Sequence, residues 1–413
     1  MIRINPSTIS GHMHAIPNKA HAQRLLFMAS MPAMPTRIKN VPRCNDIDTT
    51  IACLEDLGCQ IVKNTTGTEI VVTPFPKTSP LPDVELNFKE SATTARLAIA
   101  LCSALGIKAN CRASGTLLKR KMIQLSGRLA LRGVTFSGFS LPFVLSGRMA
   151  AGDYIFSEED GLQSISSLMM FTPCLLGDSQ LKLEKPIADK SILELTRKSL
   201  KCFQIETSEE NGEYFTPGRQ YYQSPGEVTV ENDWSIAAMW IAAAAACGAR
   251  GKGLVVDNLP QNSPQLYRNL EAVNAMLYQD YEDVNVDATY SPDLATLYAA
   301  LTIVRGASIT ITGVAPLRQK ETDRLRIISN IAHQFNQDVR IDEDSLRIIG
   351  NGNPVYPEEA IDCQGDPWIF MSMCLASTKA KEQIVLSDES CAEKIYKDFL
   401  EDFKNLGGSF VIV

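Results

Sequence analysis

The stretch Arg318-Gln319-Lys320-Glu321-Thr322-Asp323-Arg324 contains three basic and two acidic side chains within seven residues. It follows the strand-like run 307–313. If a helix begins at Thr322, Lys320 and Arg324 share one face, and Glu321 lies at the mouth of that helix between two cations. Such a cluster can hold a small dianion and keep one carboxylate ready for proton transfer. The alternative is a solvated, salt-bridged helix start, which is what charge runs usually are.

The length and charge of the chain limit the classes of protein to consider. A chain of 413 residues exceeds what one core usually serves, so two domains of roughly 200 residues are expected. The net charge of −7 argues against nucleic acid or an anionic membrane as a partner. A small anionic ligand remains possible if the cations are concentrated locally.

The cysteines and histidines indicate a reducing compartment and no metal. The eleven cysteines form no Cys-x-x-Cys pair and lie among apolar residues, so we expect reduced core residues in a cytoplasmic protein. The start of the chain lacks the apolar region of a signal peptide, and the apolar run 236–247 is too short to span a bilayer. The four histidines lack ligand spacing, and no metal or cofactor is expected.

Six segments share one pattern, in which an extended stretch and a polar turn precede a helix of small and apolar residues. Their polar turns recur about every 60–75 residues and begin at Pro17, Lys89, Asp160, Asn232, Ser291 and Gly365. This spacing predicts three α/β units in each of two domains, although Ala-rich helices also recur by coincidence. Strand-like runs such as 69–73 and 253–257 lie between the helices. Helix N-termini converging from two domains would favour anions in an interdomain cleft.

Several motifs resemble those of one enzyme family, the 5-enolpyruvylshikimate-3-phosphate (EPSP) synthases. Lys320-Glu321-Thr322-Asp323-Arg324 is similar to the family's signature. Five further segments match in the correct order: Pro17-Asn18-Lys19-Ala20 with Arg24, Cys44-Asn45-Asp46, Tyr222-Gln223-Ser224-Pro225-Gly226 before Asp233, Ser291-Pro292-Asp293, and Cys391-Ala392-Glu393-Lys394. The resemblance therefore covers nearly the whole chain.

The resemblance implies a reaction, a fold and a division into domains. The enolpyruvyl group of phosphoenolpyruvate (PEP) would move to a ring hydroxyl of shikimate 3-phosphate or a related cyclic acid, and phosphate would leave. The implied α/β fold has two inside-out domains, each of three βαβαββ repeats, in a monomer. Residues 18–230 would carry Lys19, Arg96, Arg120 and Gln163. Residues 1–17 and 231–413 would carry Asp293, Glu321, Arg324 and Lys394.

The resemblance also implies roles for individual residues. Asp293 would take the proton of the attacking hydroxyl, while Lys19 and Glu321 would move protons at the PEP methylene. The groups facing PEP would be Arg120, Gln163, Arg324 and Lys394. The groups facing the acceptor would be Lys19, Arg24, Lys320 and Asp189.

Some motifs depart from the family pattern at the expected binding positions. The Asn-Ala-Gly-Thr turn is replaced by Glu90-Ser91-Ala92-Thr93, although Arg96 is kept, and a glutamate there would repel a dianion unless it is paired. Asp-His-Arg is replaced by Asp366-Pro367-Trp368, so that one PEP cation is missing. The expected phosphate site of the acceptor is changed at Gly161, Leu162, Asp189 and Ile192.

These departures leave alternatives to an ordinary family member open. One is a paralogue with a different, unphosphorylated acceptor, and another is a binding protein without turnover. The related transferases that act on UDP-N-acetylglucosamine match less well, because Gly115-Thr116-Leu117-Leu118-Lys119 lacks their reactive cysteine.

Overall fold

The computed structural model describes residues 1–76, 83–120, 122–157, 161–185, 189–247, 253–265 and 284–413. Asp160, at the start of one predicted repeat helix, lies outside the described residues. The chain divides into two compact units, each with its own core. We call Met1–Ile16 with Asn232–Val413 the split unit, and Pro17–Glu231 the continuous unit. The borders predicted from the sequence, after residues 17 and 230, lie one residue from these.

The strands of the described residues are short, and each contributes to a small sheet. They are β1 Ile2–Asn5, β2 Gly11–His14, β3 Thr36–Lys39, β4 Gln60–Lys63, β5 Ile70–Thr73, β6 Val84–Asn87, β7 Ala109–Arg112, β8 Val134–Phe136, β9 Phe143–Gly147, β10 Asp153–Phe156, β11 Ser179–Leu183, β12 Ser208–Glu210, β13 Glu213–Thr216, β14 Glu227–Thr229, β15 Leu254–Asp257, β16 Val284–Asp287, β17 Ile309–Thr312, β18 Asp338–Ile341, β19 Ser345–Ile349, β20 Ile384–Leu386 and β21 Ser409–Ile412.

The helices alternate with these strands along the chain. The α-helices of the described residues are α1 Lys19–Ala29, α2 Asn45–Asp56, α3 Ala92–Leu105, α4 Ile123–Ala130, α5 Leu162–Phe171, α6 Ser191–Cys202, α7 Trp234–Cys247, α8 Ala295–Arg305, α9 Arg324–Gln334, α10 Pro367–Ser377 and α11 Phe399–Asn405. Shorter 3₁₀ turns cover Gly115–Lys119, Thr172–Cys174, Pro292–Leu294, Ala315–Gln319 and Glu389–Lys394.

One strand order recurs in both units. In β6-β7-β9-β8 the first two strands are parallel, and the last two join by antiparallel pairing. The sheets β10-β11-β13-β12 and β16-β17-β19-β18 repeat this order. Each is therefore a βαβαββ repeat, with a helix crossing between its parallel strands.

Other sheets combine distant parts of the chain, and one of them, β14-β3-β5-β4, has the same order as the repeats. In β14-β3-β5-β4, strand β14 comes from the end of the continuous unit and lies parallel to β3. In β20-β1-β21, strand β1 comes from the start of the chain and pairs antiparallel with both neighbours. Strands β2 and β15 form a further parallel pair. Strands near the two ends of each unit therefore pair within its sheets.

Helices form the interior of each unit, and the sheets form its outer layer. Helices α3 and α10 are buried over most of their length, because small and apolar residues cover nearly every side. Strand β6 instead alternates buried Val84 and Leu86 with exposed Glu85 and Asn87. This inside-out layering agrees with the fold expected from the sequence.

Capping side chains determine where several helices begin. The Asn18 side chain accepts the His21 N–H at 2.8 Å and starts α1. Asp233 Oδ1 accepts the Ser235 and Ile236 N–H groups at 2.8 and 3.0 Å before α7. Both residues belong to the polar turns that the sequence indicates.

The cysteines are free, and most are buried. Cys174 and Cys391 are half-buried, and Cys202 is exposed, so the expectation of core cysteines is wrong for Cys202. Within the described part of the chain, every helix is too short or too polar to span a bilayer.

Candidate active site

A buried arginine organises the acidic cluster of the split unit. Arg324 is the first residue of α9, and its side chain is 1% exposed. Its Nε donates to Asp366 Oδ2 at 2.8 Å, one terminal nitrogen donates to Asp293 Oδ1 at 2.6 Å, and the other to Glu321 Oε2 at 2.7 Å. Each guanidinium nitrogen thus contacts a different carboxylate.

The surroundings of Arg324 keep it charged. Burial lowers its pKa, but the attraction of Asp366, Glu321 and Asp293 outweighs burial, and the net pKa lies above the ordinary value. A permanent, buried cation that bonds all three acids fixes their positions.

Asp293 and Lys320 join the same cluster. Asp293 lies in the 3₁₀ turn Pro292–Leu294, immediately before α8, and Lys320 Nζ lies 3.0 Å from its Oδ1. The same oxygen therefore contacts two cations. The expected helical spacing is wrong, because α9 begins at Arg324 with Asp323 as its cap, and Lys320 and Glu321 precede it. The cations meet through Asp293 instead.

Asp366 is part of the cluster, and the sequence analysis missed this role. It is fully buried, and Oδ2 accepts from Arg324 and from Thr322 Oγ1 at 2.9 Å. Its Oδ1 caps α10 by accepting the Trp368 and Ile369 N–H groups at 3.0 and 3.2 Å. An aspartate before a proline is typical of a helix start, so the cap was predictable. The bond to Arg324 was not.

Lys394 is a buried cation of a different kind. It ends the 3₁₀ turn Glu389–Lys394 and is 7% exposed. Among the described residues it has no hydrogen bond or ion pair. A largely buried lysine side chain without a counter-charge becomes more favourable when an anion joins it. Its position therefore suits an anionic ligand.

Lys19 lies at the start of α1 in the continuous unit. Its Nζ is 2.6 Å from Asp46 Oδ2, and the two side chains are 21% and 7% exposed. Asp46 lies in the first turn of α2, where the helix dipole favours a carboxylate. Asp46 therefore places the ammonium group of Lys19.

Arg24 is placed more deeply than its expected role implies. It is fully buried, and its Nε donates to Thr196 Oγ1 at 2.8 Å. Its terminal nitrogens donate to Ala20 O, Gln163 Oε1 and Ser166 Oγ, each at 2.8 Å. These acceptors are all neutral, and burial lowers the pKa of Arg24 to about 9. Contact of Arg24 with the acceptor stays a prediction. The bond from Arg24 uses the amide oxygen of Gln163, which leaves the NH₂ group of Gln163 as a donor.

The remaining predicted residues are distributed over the continuous unit. Arg120 is half-buried and follows the 3₁₀ turn Gly115–Lys119. One terminal nitrogen of Arg96 donates to Ala92 O at 3.2 Å on its own helix. Asp189 Oδ1 accepts the Ser191 N–H at 2.9 Å where α6 begins.

His21, in the same unit, makes the stability of the continuous unit depend on pH. It is 7% exposed, and its Nδ1 accepts the Glu231 N–H at 3.0 Å. Burial, followed by the charges of Arg24 and Lys198, lowers its pKa from 6.5 to about 3. The unfolded chain therefore binds a proton that the folded chain does not, and stability falls as pH drops below 6.5.

We expect His21→Asn to flatten this decline by about 1.4 kcal/mol per pH unit between about pH 6 and pH 4. The asparagine oxygen can still accept the Glu231 N–H. Urea unfolding over this pH range measures the slope. His333→Asn, on the exposed face of α9, is the control and should leave the slope unchanged. Equal slopes in wild type and His21→Asn would contradict a buried neutral imidazole.

The chain is similar to proteins of one family. Residues 4–403 match the family described as EPSP synthase (3-phosphoshikimate 1-carboxyvinyltransferase). The 3-phosphoshikimate 1-carboxyvinyltransferase of Clostridium kluyveri is 28% identical, over 98% of this chain and 97% of that protein. The protein of the same name from Methanocorpusculum labreanum is 25% identical, over 98% of each.

Two solved structures share the fold. EPSP synthase from Acinetobacter baumannii superposes with a TM-score of 0.76 at 18% identity, covering 100% of this chain and 99% of that chain. The enolpyruvyl transferase NikO from Streptomyces tendae gives 0.73 at 15% identity, covering 99% and 98%. The fold class predicted from the sequence is therefore confirmed.

Proposed function

Because the chain belongs to the EPSP synthase family, we propose that it moves the enolpyruvyl group of PEP to a ring hydroxyl of shikimate 3-phosphate or a related cyclic acid. The hydroxyl oxygen forms a bond to C2 of PEP, its proton goes to a base, and the methylene carbon gains a proton. Loss of that proton from the methyl group and departure of phosphate then complete the transfer.

The observation that carries this proposal is the bonding of Asp293 and Glu321 to one buried guanidinium, that of Arg324. Two carboxylates held by a permanent, buried cation are fixed in position. Asp293 is the base for the attacking hydroxyl, and Glu321 exchanges a proton with the methylene carbon. Lys19, placed by Asp46, is the second group for that exchange.

The anionic groups of the ligands need cations that are not already neutralised. Lys394 has no counter-charge among the described residues, and the hydrogen-bond acceptors around Arg24 are neutral. Arg324 in contrast already contacts three acids. We therefore assign Lys394 to the anionic groups of PEP and Arg324 to the geometry of the acids. Following the family pattern, we propose Arg120 and the amide NH₂ of Gln163 as further groups that bind PEP.

The deciding experiment measures phosphate release from PEP with shikimate 3-phosphate, shikimate and other cyclic alcohols. Release with any of them supports the transfer, and the best acceptor identifies the substrate. No release with any acceptor, together with measurable PEP binding, would instead support a binding protein.

We also propose that the protein is cytoplasmic, because its cysteines are free. We further propose that it is a monomer, and sedimentation of the purified protein tests this.

A specific observation favours an acceptor without phosphate. The Asp189 carboxylate stands at the start of α6, and Leu162, an apolar residue, begins α5. A phosphate placed there meets a like charge, and a pair near 4 Å costs about 4 kcal/mol at an effective dielectric of 20. A hydroxyl of an unphosphorylated ring can instead donate to Asp189.

We expect Asp189→Ser with Leu162→Ser to tighten binding of shikimate 3-phosphate about tenfold, or about 1.4 kcal/mol. A serine hydroxyl at position 189 can still accept the Ser191 N–H, so the start of α6 is retained. Calorimetric titration of wild type and double variant gives the comparison, with Asp178→Ser, at an exposed position of the same unit, as control. Tight binding by wild type that the double change weakens would mean that the Asp189 carboxylate does not repel the ligand and that the acceptor carries a phosphate.

A further inference from the structure

A single carboxylate ties two loops of the continuous unit together. Glu90 Oε1 accepts the Thr116 N–H at 2.7 Å, and the adjacent Lys89 O accepts the Ser114 N–H at 2.8 Å. We call residues 89–90 together with residues 114–116 the Glu90 clasp. It joins the loop after β6 to the loop after β7.

Gly115 lies at the centre of the Glu90 clasp and has no room for a side chain. A Cβ atom there would lie 1.9 Å from Glu90 Oε1, and its φ of +54° is also unfavourable for other residues. Lys89 has a positive φ of 46° in the facing loop. The backbone of both loops is therefore shaped around the carboxylate of Glu90.

The Glu90 clasp lies between the segment of Arg120, which is a predicted PEP-binding residue, and the segment of Arg96. On one side, Gly115 begins the 3₁₀ turn that is anchored by buried Leu117, whose carbonyl accepts the Arg120 N–H at 3.1 Å. On the other side, Glu90 is followed by Ser91, the cap residue of α3, which carries Arg96. Loss of the bond from Thr116 to Glu90 would therefore weaken the link between the segment of Arg120 and that of Arg96.

We propose that Glu90 is a positioning residue that fixes the turn of Arg120 for the anionic donor substrate. The Glu90 carboxylate accepts the Thr116 backbone N–H and does not itself contact the ligand. The ligand benefits because the turn that carries Arg120 is held in place. This inference rests on the proposed function, because it takes PEP to be the ligand of Arg120. It also accounts for an acidic residue beside an anion site, since that residue is used within the protein.

Steady-state kinetics with PEP separates positioning from a general loss of structure. We expect Glu90→Ala to raise the KM for PEP about tenfold with kcat within about threefold of wild type. Glu90→Gln should restore KM to within about threefold, because the amide oxygen accepts the same N–H. Gly115→Ala should behave like Glu90→Ala, since the added methyl group displaces the carboxylate.

The matched control is Glu85→Ala. Glu85 is an exposed glutamate on β6 that is bonded to Asn110. An unchanged KM in Glu90→Ala, or equal defects in the Ala and Gln variants, would overturn the proposal.

Limited trypsin digestion tests the Glu90 clasp without any substrate. Cleavage after Lys119 and Arg120 should be about tenfold faster in Glu90→Ala than in wild type, and unchanged in Glu90→Gln and Glu85→Ala. Equal cleavage of Glu90→Ala and wild type would show that Glu90 does not hold the turn. If wild type releases no phosphate from PEP with any acceptor, the proposed function fails, whereas the trypsin rates still decide whether the Glu90 clasp exists.

Discussion

Asp293→Asn is expected to lower turnover of PEP by about 10²–10⁴-fold, the range that a positioned general base contributes. The asparagine oxygen can still accept from Arg324, which retains the full charges of Glu321 and Asp366. The shape of the cluster is therefore kept, and the base is lost. Phosphate release measures turnover, and calorimetry with PEP should show affinity within about threefold of wild type.

The control for this variant is Asp287→Asn. Asp287 ends β16, and its Oδ1 accepts the Thr289 N–H at 2.9 Å, outside the cluster around Arg324. It should retain turnover. Turnover like wild type in Asp293→Asn would remove Asp293 from the mechanism. A loss of PEP affinity equal to the loss of turnover would instead make Asp293 a binding residue.

Asp366→Ala should destabilise the split unit by about 3–5 kcal/mol, the usual effect of removing one partner of a buried charge pair. The change leaves the Arg324 Nε and the Thr322 hydroxyl without an acceptor and removes the cap of α10. Arg324 is 1% exposed whereas Thr322 is half-buried, so the lost acceptor at Arg324 is the costlier of the two. This is the largest effect on stability that we expect from a single change in the cluster.

Tryptophan fluorescence during urea unfolding isolates this effect. The three tryptophans of the chain, Trp234, Trp240 and Trp368, all belong to the split unit, so their signal follows that unit. Asp362→Ala, at an exposed position four residues earlier, is the control and should change stability by less than about 0.5 kcal/mol. A destabilisation of Asp366→Ala no larger than that of the control would show that Arg324 does not depend on Asp366.

Local chemistry explains why much of the fold could be predicted. The polar turns at Asn18, Asp233 and Asp366 begin helices because their side chains accept N–H groups two or three residues later. Such bonds need no partner from elsewhere in the chain. The repeat of about 60–75 residues likewise reports one supersecondary unit at a time, and it predicted α/β units, whereas the βαβαββ pattern came from the family resemblance.

The parts of the site that depend on one segment were also within reach of the sequence. Lys320, Glu321 and Arg324 are close in the chain, and their shared chemistry was visible there. Their geometry was not, because the helix begins two residues later than predicted and Asp323 caps it. Residue spacing indicates a face only where the backbone is already helical.

The α/β repeats, the capped starts of α1, α7 and α10, and the clustering of charge around residues 318–324 could be predicted from the sequence. Which of those charges are neutralised depends on the tertiary structure. Arg324 contacts three acids because helices α8, α9 and α10 bring residues 293, 321 and 366 of the same unit together. Arg24 is buried among neutral acceptors because α1 packs against α5 and α6. The amino-acid sequence specifies which side chains carry a charge. The burial and the partner of each charged group depend on contacts between distant segments, and burial and partner together determine what the group can do.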